Sequence, residues 1–205
     1  MGGAPKGGLF EVSLLSHDEI EEGGASSAWN PREELKSIVI PGLVANEGDP
    51  WNVTFDALTA LRRILICHPE IVMSKALESL APGLEASIRS SRSLLAKNAI
   101  LCSEDLFLSR GSELNKLSQH LTDLLTFALL DSCASNVPKT IRLEANLALT
   151  QAVDTGPLLL LAPSFAGRAS HKNTTVVESA MMLCEKALQH LAAGTAVNSK
   201  LRPRN

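Results

Sequence analysis

The chain has 205 residues, 45% of them apolar and 20% charged, with a formal net charge of −3 at pH 7. That is enough apolar material for a real core, which excludes a wholly unfolded chain, and the mild acidity excludes the broad positive field of a general nucleic-acid binder. Aromatic residues make up only 3% and tyrosine is absent, so the core must be built from Leu, Ala, Ile and Val, which favours packed helices over a sandwich or barrel.

Residues 1–30 read as a flexible, acidic and glycine-rich N-terminal tail, in which Glu11, Asp18, Glu19, Glu21 and Glu22 stand against the single base Lys6. Leu9, Phe10, Val12, Leu14 and Leu15 form a small apolar cluster inside it. Asn30 as N-cap and Pro31 at the first helical position start a helix through Leu35, Ile38, Val39 and Leu43, ended by the break at residues 46–50. Phe55, Leu58, Leu61, Ile64 and Leu65 recur at three- and four-residue steps, the stripe of a second helix that stops near His68 and Pro69. Val72, Leu77, Leu80, Leu84 and Ile88 predict a third helix with a bend at Pro82, and Leu95, Ala99, Cys102, Leu106 and Phe107 a fourth, closed at Gly111.

The same pattern continues through Leu117, Leu121, Leu125 and Leu129, then through Ile141, Leu143, Leu147 and Val153. A last pair covers Leu158 to Phe165 and Val176 to Leu191. Residues 194–205 carry Lys200, Arg202 and Arg204 without an acid and read as a basic C-terminal tail. The polar breaks inside successive helix pairs fall near residues 48, 91, 137 and 173, a period of roughly forty. Residues 31–193 are therefore expected to form an all-α, HEAT- or armadillo-like solenoid of about four helix pairs, because neither helix of a pair can bury its stripe alone. A globular bundle of the same helices fits the apolar pattern almost as well.

Two stretches carry a family resemblance. Asp49-Pro50-Trp51, followed by Phe55-Asp56-Ala57-Leu58 and Leu61-Arg62-Arg63-Ile64-Leu65, is similar to the first repeat of the TOG-type HEAT arrays of CLASP-family and Crescerin-like microtubule regulators. Ser91-Arg92-Ser93-Leu94 through Glu104-Asp105-Leu106-Phe107 resembles the second repeat of that family. The resemblance implies a tubulin- or microtubule-binding module, cytoplasmic and associated with the cytoskeleton, whose intra-repeat loops line one edge and touch the partner. It nominates one residue per loop: Trp51, Arg92, Lys139 and Lys172. An aromatic anchor beside basic tips suits an acidic protein surface. The alternative is a generic helical-repeat scaffold that takes a peptide or protein on its concave face.

The sequence offers little to catalysis. No phosphate loop, nucleophile elbow, dinucleotide fingerprint or H-E-x-x-H occurs, and His17, His68, His120, His171 and His190 are scattered. Cys67, Cys102, Cys133 and Cys184 lie far apart without a C-x-x-C pair and are expected as buried free thiols. The expectation is a non-enzymatic protein without cofactor, metal, small-molecule substrate or nucleic-acid partner. The longest apolar run, Leu158 to Pro163, is far short of the ~20 residues that cross a bilayer, so no membrane partner is expected either.

Overall fold

The computed structural model describes residues 13–25, 28–44, 50–110, 114 and 119–200, with side chains to residue 194. Leu9, Phe10 and Val12 of the expected apolar cluster, residues 46–49 of the first break, Gly111, Leu117, and Arg202 and Arg204 of the basic tail lie outside these residues. Among the described residues the regular structure is helical throughout, without a strand. The helices are α1 (His17–Gly24), α2 (residues 31–43), α3 (Trp51–Cys67), α4 (Ser74–Ile88), α5 (Ser93–Arg110), α6 (Gln119–Asp131), α7 (Lys139–Thr155), α8 (Leu158–Ala166) and α9 (Thr174–Lys200).

Local chemistry explains the ends of several of them. The expected tail is corrected at α1, where Ser16 Oγ accepts from the Glu19 amide at 3.3 Å and the Glu19 carboxylate accepts from the Ser16 amide at 2.7 Å. This reciprocal cap starts a helix whose Ile20 is fully buried. Asn30 Oδ1 accepts from the Glu33 amide at 3.2 Å and Pro31 occupies the first turn of α2, as the sequence predicts. Pro41 has no amide to give the Ser37 carbonyl, and the preceding stretch Leu35–Val39 widens to a π-type turn in which Ile40 donates to Leu35. At the other end, α9 runs through Gly194 to Lys200, so the expected start of the C-terminal tail is helical instead.

The helices form two rows. Helices α2, α4, α6 and α8 lie side by side in one row, α3, α5, α7 and α9 in the other, and α1 packs against α3. Sequence neighbours α2/α3, α4/α5, α6/α7 and α8/α9 pack across the rows. Neighbours within a row run parallel, as paired bonds at near-constant offset require. Asn98 reaches the Phe55 carbonyl and Asp105 meets Arg62, each 43 residues apart; Ser164 reaches Asp123, 41 residues away, and Arg168 reaches Asp131, 37 residues away.

The core lies between the rows. Phe55, Leu58, Leu61, Leu77, Leu80, Leu106, Leu121, Leu125 and Leu183 are all buried, as the apolar spacing predicts. Leu147 is not: it is 57% exposed, and Leu143 is exposed beside it. The buried face of α7 is Ile141, Ala145, Ala148, Leu149, Ala152 and Val153, so small residues, not the larger leucines, let this helix approach its neighbours. Close approach also fixes Gly83 in α4, where a Cβ would sit 1.9 Å from the Leu43 carbonyl oxygen of α2. Among the described residues no helix is long and apolar enough to cross a membrane.

Candidate functional site: the edge formed by the intra-pair turns

Because the four pairs pack in parallel register, the turns between α2 and α3, α4 and α5, α6 and α7, and α8 and α9 emerge at one end of the rows. Side-chain contacts link them in sequence. Trp51 opens α3 directly after Pro50, half-buried, with its ring edge-on to Phe55 at 6.0 Å between centroids. The exposed Arg92 guanidinium of the next turn lies over the Trp51 ring, 5.5 Å from its centroid. In the same turn Arg89 is held by Glu85 on its own helix and by Asp131 of α6 at 2.7 Å. Hydrogen bonds to these two carboxylates hold Arg89 more firmly protonated than an ordinary arginine, against the opposing effect of burial.

Asp131 in turn joins the second turn to the last. Its Oδ2 accepts from Arg168 at 3.2 Å, and its Oδ1 faces His171 Nε2 at 3.6 Å. The Arg168 guanidinium also stacks on Phe127 at 4.1 Å, and Asn173 Nδ2 donates to Ser135 Oγ at 3.4 Å. Lys139 and Lys172 are exposed on this edge and make no ion pair among the described residues. Between the turns at residues 89–92 and 132–138 lies a cleft of about 340 Å³ lined by Ser90, Ser91, Ser132, Asn136, Val137 and Pro138.

The structure thus brings Trp51 and Arg92 into contact and places Lys139 and Lys172 on neighbouring turns. Sequence reasoning missed Arg89, Asp131, Arg168 and His171, which connect those turns. The available signal was Asp131 standing 42 residues after Arg89, close to the spacing of the polar breaks and likewise at the end of a helix. The Asp131–His171 pair does not amount to an activated nucleophile, since His171 Nδ1 accepts from the Asn173 amide at 3.2 Å and no hydroxyl among the described residues bonds to the ring. The four cysteines are free thiols. Burial pushes the Cys133 thiol up to about 12 and raises that of Cys102 further, so neither supplies a thiolate near neutral pH.

A second polar cluster lies along the flanks of α3, α5 and α7, away from the turns. Arg62, 3% exposed, donates to Asp105 at 2.8 Å, to the Leu15 carbonyl at 3.2 Å and to Asn98 Oδ1 at 3.4 Å. Asn98 donates to the Phe55 carbonyl at 3.1 Å and to Thr59 Oγ1 at 3.0 Å. Above this network is a groove of about 390 Å³ whose walls include Leu14, Leu15, Lys97, Leu101, Glu104 and Leu108. Comparison of the chain with models of known protein families and with curated protein sequences finds no match.

Proposed function

We propose that the chain is a HEAT- or armadillo-like solenoid of about four helix pairs that acts as a non-enzymatic, TOG-like binding module, meeting tubulin or microtubules along the edge of its intra-pair turns and regulating microtubule dynamics. The observation that carries this reading is the Arg92–Trp51 stack, which joins an aromatic anchor of one turn to the basic tip of the next. The parallel rows, with bonds repeating at offsets of about forty residues, support the repeat architecture on which such an edge depends. In this reading Trp51 supplies the rigid contact, and Arg92, Lys139 and Lys172 speed encounter with an acidic partner surface.

The test is co-elution with αβ-tubulin on a sizing column at low salt. Wild-type protein should shift the tubulin peak and Trp51→Ala should not, with its circular dichroism unchanged, because loss of a central aromatic anchor commonly removes about 2 kcal/mol or more. Arg92→Glu and Lys172→Glu should weaken the shift in a salt-dependent way. A wild-type protein that leaves tubulin unshifted at low salt sinks the tubulin function.

A further inference from the structure

The groove over α3, α5 and α7 differs from the turn edge in one respect: its charges do not balance. Arg62 is paired with Asp105 beneath the floor, Lys97 is paired with Glu144 of α7 at 2.9 Å, and Glu19 is engaged by the Ser16 cap. Glu104 is left without a hydrogen bond or ion pair among the described residues, although it is only partly exposed. Asp105 and Glu144 add like charge around it, opposed by Arg62 and His17. Leu101 and Leu108 lie on the same flank of α5, one turn to either side of Glu104, and Leu108 is 48% exposed. An apolar, acidic, apolar strip of this kind disfavours anionic lipid and nucleic acid and offers a single free carboxylate, too little for a metal ion.

We propose that this groove docks a short segment of a protein partner carrying one Lys or Arg between apolar side chains, the cation pairing with Glu104 and the apolar groups covering Leu101 and Leu108. A partner cation completes the one carboxylate of this groove that has neither a hydrogen bond nor an ion pair among the described residues, in a setting partly shielded from water, where a charge-assisted bond is stronger than at an open surface. The lining belongs to helix flanks and to the segment before α1, away from the intra-pair turns, so the proposal stands apart from the tubulin reading.

The probe is a pool of fluorescein-labelled synthetic peptides of the pattern Leu-x-Lys-x-Leu, with x drawn from Ala, Ser and Gly, followed by fluorescence anisotropy against the full chain. The Lys pool should bind, and the same pool with Glu in place of Lys should not. Glu104→Gln should lower affinity about tenfold, the scale of a hydrogen bond to a charged group. Leu108→Ser, at an already exposed position, should lower it as well, with neither variant melting below the wild type. Trp51→Ala should bind the peptides unchanged, which separates this site from the edge. Equal binding of the Lys and Glu pools, undiminished binding by Glu104→Gln, or no binding of the Lys pool at millimolar protein overturns the proposal.

Discussion

The α3/α5 and α7/α9 interfaces belong to one row, yet they are held together by different means. Between α3 and α5 the contact is built around charge: Arg62, Asp105 and Asn98 are at most 6% exposed and bonded to one another, and Asn98 also bonds the Phe55 backbone. Around the other, the buried residues of α7 include Ala148, Leu149, Ala152 and Val153 and those of α9 are Val176, Ala180, Leu183 and Ala187, all apolar and at most 2% exposed, while the Lys186–Asp154 pair that links the two helices stays near the surface at 2.7 Å. A buried polar network tolerates no partial loss, because each missing partner leaves a desolvated group behind. A small-residue seam depends on volume instead.

The largest expected effect follows from the polar interface. Asp105→Ala strands the Arg62 guanidinium, and removal of one partner of a buried pair costs about 3–5 kcal/mol. Urea unfolding should show it. The double variant Arg62→Met, Asp105→Leu should recover most of that loss, since well-packed apolar side chains can replace a buried pair at little cost. A penalty below ~1 kcal/mol for Asp105→Ala would mean that water reaches the pair, and the contrast between the two interfaces would collapse.

On the apolar side, Leu149→Ala should cost about 2–5 kcal/mol, the range for a leucine in a close-packed core. Leu147→Ala, two positions earlier on the same helix, should stay within ~0.5 kcal/mol because that side chain faces solvent. The pair of melting curves tests which leucine faces the core. Equal losses would place both in it and return α7 to the large-residue stripe that its sequence first offers.

That stripe shows how far the sequence could be read. The helical class and nine of the ten expected core positions are legible, because Leu, Ile and Phe recur at helical spacing in α3 to α6. In α7 the packing face is largely alanine, and alanine is common on any helix face, so Leu143 and Leu147 drew the stripe to the wrong side. Helix α1 is short and strongly acidic; its polar composition outweighed the Ser16–Glu19 cap that starts it. Of the edge, the one-per-turn spacing of Trp51, Arg92, Lys139 and Lys172 was visible; for the Asp131 links the sequence holds only the 42-residue separation of Arg89 and Asp131, and nothing that singles out these two among the other charges at helix ends. The buried network did leave a trace: Arg62 stands four residues after Leu58 and seven after Phe55, on the apolar stripe itself. A charge in that register signals an unseen partner rather than a solvated face.

The smallest effect separates two adjacent acids of α5. Asp105 has Arg62 at 2.8 Å, whereas Glu104 has no bonded partner among the described residues, and burial, reinforced by Asp105 and Glu144, raises its carboxyl above the ordinary 4.5. A carboxyl raised on folding binds its proton more tightly in the native state. Its contribution to stability is therefore fully present below about pH 4.5 and is lost as pH rises through the higher native value, leaving an ionised group in an unfavourable place at neutral pH. Glu104→Gln removes that ionisation while keeping the side chain's shape. The variant should accordingly melt no lower than wild type at pH 7, with any gain shrinking as the pH falls through the raised native value and gone below about 4.5, where both chains carry a neutral group. A Glu104→Gln protein that melts lower than wild type at pH 7 would show that the carboxylate already has a cation in the folded chain. Glu104 would then resemble Asp105, and the groove would have no unpaired charge to offer a partner.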